Sequence, residues 1–532
     1  MRRLVTLVFV AALVVVMAAS FSVSAAGGRV IVMNQQEPNM INPYLDSMQA
    51  TFDVSQLTWG GMLELDEKWE LIPSLALEVP SLQNGGISKD GLTYTWKLRK
   101  DVKWSDGAPF TSEDIKFTWE YIMNDNLNVV SRTGFEEITA IETPDKYTVV
   151  MKLKQIHVPM LYVWTGPTIV PKHILSKSKN LNEDSFNMNP VGLGPYVLDK
   201  WEHGSYLIFK KNPNYWRKGY PKLDQIVYKP IPDENTAFTQ LATKEIDVYQ
   251  TFPTNQYKQV KGLTHVNVTE TASTYWEHIN INCKSPLLTD VRVRQALRYA
   301  TDLKKLQETV YEGLWPVAVS DQGSPFWKNA KLKPYQFDLK KAGQLLDQAG
   351  WKLGNDGMRY KNGKKLTLVI STTAGRIPRE MTEQILQQDW KKIGVDLVIK
   401  NYDAGKFFAT YDEGGILDTG DYDLAVFAWG SSPDPDNYTL WHSAQFPPAG
   451  QNNVFWSNKR VDELIITSRK ELDVNKRKAM IDEIQQIMWE EVPMIPTFYW
   501  VNLDAFNKNI KNIKPNGTSS GNLWNAYEWE LK

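Results

Sequence analysis

The stretch KKLTLVISTTAGRIPREMTEQILQQDWKKIGVDLVIK, residues 364–400, decides the fold class. KKLTLVIST reads as a strand, PREMTEQILQQDWKKIG as a helix and VDLVIK as a second strand. Strand, helix and strand within about thirty-five residues form a βαβ unit, which implies a parallel pair and a right-handed crossover. YDLAVFAWG, residues 422–430, is then the next strand of the same sheet. The loop that follows it, WGSSPDPDNYTLWHS (429–443), holds two prolines, two aspartates, an asparagine and three aromatic residues. It falls at the carboxyl end of a strand, where α/β sheets place their binding crevices.

Working outward, DVRVRQALRYATD (290–302) is a helix opened by Asp290. DLKKAGQLLDQAGW (338–351) is another, capped by Asp338 and stopped by Gly350. Further upstream, Tyr94, Trp96 and Leu98 alternate as one face of a strand, and Asp106-Gly107 marks a turn. Thr111 caps a helix with Asp114 at the position of a capping box, and Ile115, Trp119 and Ile122 recur at helical spacing. A hairpin turns at Pro144-Asp145, after which Tyr147, Val149, Met151 and Leu153 alternate. In PVGLGPYVLDKWEHGSYLIFKKNPNYW (190–216) the glycines let the backbone approach something closely, either a crossover between domains or a ligand. Residues 28–32 read as a short apolar strand that opens the mature chain, followed by the polar loop NQQEPNMINPY.

At 532 residues the chain calls for two or three domains. A formal charge of −1 leaves no basic footprint for nucleic acid or anionic lipid. Arg2 and Arg3, an uncharged run over residues 4–19, and Val23-Ser24-Ala25 as a cleavage site read as a secretory signal peptide over residues 1–25. The single cysteine, Cys283, excludes an internal disulfide and a lipid-bearing cysteine at the signal junction. No phosphate loop, CxxC, HExxH or GxSxG occurs, and the six histidines are scattered, so neither a metal nor a cofactor is expected. Paired carboxylates are the one enzymatic reading: Asp434 with Asp436, or Glu37 with a distant partner, acting on a glycosidic bond. Asp-Pro-Asp-Asn is also good turn chemistry.

Together, DGLTYTWKLRKDVKWSDGAPFTSEDIKFTWE (90–120), PVGLGPYVL with KKNPNYW, DVRVRQALRYATD, DLKKAGQLLDQAGW and WGSSPDPDNYTLW resemble, in order and spacing, one family. It is the dipeptide/oligopeptide class of ABC-importer solute-binding proteins, extracellular solute-binding family 5. The resemblance implies an α/β, two-lobed periplasmic-binding-protein-like fold (class II type), with an extra α+β domain inserted in the first lobe. Lobe I would comprise 29–58, 190–280 and 503–532, the inserted domain 59–189 and lobe II 281–502, with a hinge where the chain crosses near 280 and 502. No chemistry on the ligand is then required. An open form captures solute, the lobes close, and a membrane permease reads the closed form. The partners implied are a small oligomeric solute and permease subunits, for a monomer exported to the periplasm or cell surface.

Peptide-binding members of that family hold the ligand's α-amino group with an aspartate just after the tryptophan of the last motif. Aligning Trp429 places Ser432 there, and Asp434 substitutes only if the loop is rearranged. The expected ligand-facing set is Trp429, Ser432, Asp434, Asp436, Asn437, Trp441, Tyr275, Trp276, Asn34 and Glu37. Aromatic faces beside amide and carboxylate groups suit a neutral oligosaccharide, the leading expectation here. A peptide is the alternative and a secreted glycoside hydrolase the remote one.

Overall fold

Ten strands run side by side in one sheet that crosses the whole molecule, in a computed structural model describing residues 28–532. The signal-peptide expectation for residues 1–25 lies outside the described residues. In chain order the strands are β1 (Arg29–Asn34), β2 (Tyr196–Glu202), β3 (Tyr206–Lys211), β4 (Gln225–Pro230), β5 (Val248–Tyr249), β6 (Val266–Ile281), β7 (Thr367–Ser371), β8 (Asp396–Ile399), β9 (Leu424–Gly430) and β10 (Met494–Asn507). Their spatial order is β8-β7-β9-β6-β10-β5-β1-β4-β3-β2. One half of the sheet therefore comes from the chain before residue 250, the other from residues 367–430. The two long antiparallel strands β6 and β10 join the halves, and this is the two-lobed α/β architecture.

The βαβ unit is present as read. β7 and β8 pair in parallel from Thr367–Asp396 to Ile370–Ile399, and α5 (Ile377–Lys391) makes the crossover. Pro378 sits in that helix's first turn, where its missing N–H is not needed. Leu386 and Trp390 bury completely against Leu368 and Ile370, each side chain worth about 2–3 kcal/mol of apolar burial. β9 lies parallel beside β7, and the apolar run of YDLAVFAWG is the next strand of that sheet.

The helix caps also follow local chemistry. In α3 (Val291–Tyr299) Asp290 accepts the amide of Arg292 at 2.9 Å, and in α4 (Leu339–Gln348) Asp338 accepts that of Lys341 at 2.8 Å. Gly350 adopts φ +86° just past the end of α4. In α2 (Ser112–Ile122) the Thr111 amide donates to the Asp114 carboxylate at 2.9 Å, one half of the capping box. That helix lies on a three-stranded antiparallel sheet of Thr93–Lys97, Thr148–Leu153 and Ile138–Asp145, the hairpin expected at residues 144–145. Tyr94, Trp96 and Leu98 all point into its core.

Gly192 and Gly194 are resolved in favour of the crossover. A Cβ on Gly192 would stand 1.7 Å from the carbonyl oxygen of Thr58, and one on Gly194 2.5 Å from that of Leu57. What they let approach is the end of α1 (Gln49–Thr58), not a ligand. Cys283 is largely buried, which pushes its thiol up to about 11 and leaves it inert. No helix among the described residues is long and apolar enough to cross a membrane.

Candidate functional site

The site begins with an irregularity in β6. Its pairing with β10 is regular up to Ala272–Val501 and resumes at Trp276–Tyr499. Over Ser273–Tyr275 the strand leaves that ladder and finds other partners: Thr274 N–H donates to Gly517 O at 3.2 Å, and Thr274 O accepts from Ser431 N–H at 3.0 Å. Such a bulge re-aims side chains and frees a stretch of sheet surface. A cavity of about 620 Å³ opens there, within the about 300–1,000 Å³ range of small-ligand sites. Both lobes line it: the end of β1, α1 and the loop after β5 on one side, the loop after β9 on the other. Mid-β6, mid-β10 and the C-terminal loop 516–522 complete it.

One wall is aromatic. Trp500 of β10 stacks on Tyr275 (ring centroids 5.2 Å, 31°) and on Trp315 (5.2 Å, 29°), and Trp315 in turn on Tyr311 (4.2 Å, 16°). Tyr275 is 46% exposed at the open end of this ladder. Offset stacking of this kind fixes ring orientation before any ligand arrives. The rest of the lining is rich in amide and hydroxyl groups, from Gln49, Gln250, Asn502, Thr518 and Asn522. Asn516 holds the C-terminal loop in place by donating to Leu65 O and Asp66 O at 3.0 and 3.1 Å and accepting from Thr518 N–H at 2.9 Å.

One carboxylate, Asp53, lies at the floor, with a second, Asp504, buried behind it. Asp53, 4% exposed, lines the cavity and accepts from Gln49 Nε2 at 2.8 Å and Asn34 Nδ2 at 3.1 Å. Burial, with repulsion from Asp504 and against the pull of the Gln49 amide, raises its carboxyl to about 7. Asp504 of β10 is fully buried and accepts from Thr251 N–H at 2.8 Å. Burial raises it to about 6, opposed by hydrogen bonds from the Thr251 amide and Asn522.

Three of the residues expected from the sequence line this cavity: Asn34, Ser432 and Tyr275. The others are placed elsewhere. Asp434 accepts a bidentate pair from Arg477 at 2.6 and 2.7 Å with both side chains almost fully buried, so its charge is consumed in an internal ion pair. Asp436 is bound by Arg469 Nε at 2.9 Å. Trp441 is 3% exposed and donates its indole N–H to Asp321 at 2.9 Å, and Asn437 donates to the same carboxylate. Trp276 is fully buried with its indole N–H on Ser431 Oγ at 2.9 Å. Trp429 packs edge-on against Phe427 at 5.5 Å and does not line the cavity. Glu37 accepts from the Trp201 indole at 2.7 Å and Gly204 N–H at 2.9 Å, away from the cavity. The proline-rich loop is thus a rigid backing that presents Ser431 and Ser432. The carboxylate pairs suggested for glycoside cleavage are tied up in ion pairs or far apart. No cluster of three or more metal-ligating residues occurs among the described residues.

Sequence reasoning missed Asp53, Gln250, Trp500 and the loop NGTSSGN (516–522), whose run of small polar residues was the only local signal.

A model of bacterial extracellular solute-binding proteins, family 5 (middle), matches residues 70–448. The oligopeptide-binding protein AppA of Bacillus subtilis is 28% identical over 513 residues, 95% of this chain and 92% of that protein. The glutathione-binding protein GsiB of Shigella dysenteriae is 27% identical over 503 residues, 94% of each. Among solved structures, NikZ of Campylobacter jejuni in complex with Ni(L-His) superposes with a TM-score of 0.76 at 30% identity, covering 94% of this chain and 99% of that one. AppA in complex with a nonapeptide superposes with a TM-score of 0.72 at 27% identity, covering 95% and 99%.

Proposed function

We propose that this chain, which belongs to the bacterial extracellular solute-binding proteins of family 5, captures a short peptide between its lobes and delivers it unaltered to a permease. It is the extracytoplasmic solute-binding component of an ABC importer. The observation that carries the peptide reading is the cavity at the β6–β10 crossing, lined by the packed rings of Tyr275 and Trp500 together with amide and hydroxyl groups. Ring faces sandwich flat amide planes, while the amide and hydroxyl groups match the donor–acceptor alternation of a peptide backbone. Its 620 Å³ suits a short peptide.

The oligosaccharide expectation drew on Trp429, Trp441, Asn437, Asp436 and the run Thr274-Tyr275-Trp276, of which only Thr274 and Tyr275 line the cavity. Trp441 is sealed into the core, and neither it nor Trp429 lines the cavity. Two of the relatives are named for oligopeptide and for glutathione, itself a short peptide, and both support the peptide reading. We keep the division into lobe I (29–58, 190–280, 503–532), inserted domain (59–189) and lobe II (281–502) as the rigid bodies that move. β6 and β10, the strands that join the two halves of the sheet, are the hinge.

Isothermal titration with a mixed tetrapeptide pool and with β-linked di- to pentasaccharides tests the assignment. Saturable one-to-one peptide binding with no saccharide heat is expected. Saccharide binding with no response to peptide would overturn it.

A further inference from the structure

We propose that Asp53, backed by Asp504, is the anionic pole of the cavity and receives the α-ammonium group of the peptide; the inference rests on the peptide reading above. Three observations lead to it. Asp53 faces the cavity from α1, yet it is almost fully buried and no Lys, Arg or His nitrogen among the described residues forms an ion pair with it or with Asp504. Asp504 Oδ2 has no hydrogen-bond partner among the described residues, although the residue is completely buried. Finally, the C-terminal loop closes on the acid: a Cβ on Gly521 would stand 2.8 Å from Asp53 Oδ1.

Several buried acids elsewhere are neutralised by a cation. Glu277 is met by Arg379 at 2.8 Å, Asp389 by Lys305 at 3.0 Å and Lys392 at 2.6 Å, and Asp434 by Arg477. Asp46, Asp114, Asp321 and Glu383 also lack a cation, but none of them lines this cavity. At the cavity floor Asp53, an uncompensated carboxylate with a second one, Asp504, behind it, meets a space large enough for a ligand. A buried carboxylate without a counter-charge is costly, and two together repel. A ligand ammonium supplies the missing charge and three N–H donors, for which Asp53 and the nearby amide oxygens of Gln250 and Asn522 are acceptors. The titratable groups facing Asp53 are Asp504 on β10 and Tyr228 on β4; the remaining neighbours are the amides of Gln49 and Asn34.

The test titrates the full chain with one tetrapeptide pool prepared in three forms: free amino termini, N-methylated and N-acetylated. N-methylation keeps the charge; acetylation removes it at similar bulk. Acetylation is expected to weaken binding at least about tenfold while methylation leaves most of it, and Asp53→Asn is expected to weaken the free-amine pool by a similar factor and leave the acetylated pool unchanged. Equal binding of the acetylated and free pools, or wild-type affinity in D53N, would overturn the ammonium site while leaving the peptide reading intact. Failure of all three pools to bind would overturn the peptide reading and this inference with it. Should D53N not fold, the acetylation comparison on the wild-type chain decides alone.

Discussion

Replacing Arg477 by Met would strand Asp434. The wild-type pair has two charge-assisted bonds of 2.6 and 2.7 Å, and Arg477 Nε also donates to Ser468 O at 3.0 Å. Both side chains are at most 3% exposed, so water cannot reach in to solvate a lone carboxylate. Removing one partner of such a pair costs about 3–5 kcal/mol, whereas removing both with apolar groups of like volume is often close to neutral. Arg477 lies on α6 (Val474–Glu491) and Asp434 in the loop that presents Ser431 and Ser432 to the cavity. The loss therefore falls on both stability and ligand affinity. Urea unfolding followed by tryptophan emission, on wild type, Arg477→Met, Asp434→Leu and the double variant, gives a double-mutant cycle. Each single variant is expected to lose about 3–5 kcal/mol and the double variant far less than their sum. Strict additivity would refute the reasoning. So would an Asp434 variant of wild-type stability that no longer binds peptide, because that would make Asp434 a ligand contact after all.

The buried Asp53 makes the apo protein's stability pH-dependent. Its carboxyl titrates near 3.8 in the unfolded chain and about 7 in the fold, so between those values the folded state holds a proton the unfolded state lacks, and stability falls as pH rises. Relative to wild type, Asp53→Asn should gain little at pH 4 and progressively more up to pH 8, on the order of 4 kcal/mol at most; a pH-independent difference in urea midpoints would contradict this. Trp500→Ala removes the centre of the Tyr275–Trp500–Trp315 stack and should weaken peptide binding by about 1–2 kcal/mol and abolish most of the ligand-induced emission change. Unaltered titrations would place the platform elsewhere. Gly194→Ala drives a Cβ to 2.5 Å from Leu57 O, and about 1–3 kcal/mol of stability should be lost in thermal melts; an unshifted melt would show that the α1 end yields freely.

The βαβ unit, the Asp caps of α3 and α4 and the Thr111–Asp114 box were legible because each is decided within a few residues. Hydrophobic period and cap chemistry need no knowledge of the rest of the chain. The cavity is different, since Asp53 and Asp504 are brought together across some 450 residues by the pairing of β1, β5 and β10. Nothing local to FDVSQ or to VNLDAF hints that one acid will face the other. Asp434 and Trp441 were misjudged for the converse reason. A carboxylate and an indole beside prolines look exposed in sequence, but Arg477 and Asp321, distant in the chain, draw both inward. Ser432 could be placed from its strand-end position alone, whereas Tyr275 sits at a bulge in the middle of β6.

A competition read by native mass spectrometry tests the clamp most directly. The protein is incubated with an equimolar mixture of tetrapeptides and β-linked tetrasaccharides, exchanged into volatile buffer, and its retained mass and the released molecule are measured. One intact peptide per chain is the predicted result. A retained saccharide, a bare chain, or peptide fragments accumulating beyond one per protein would contradict a cleft that closes on a peptide and leaves it whole.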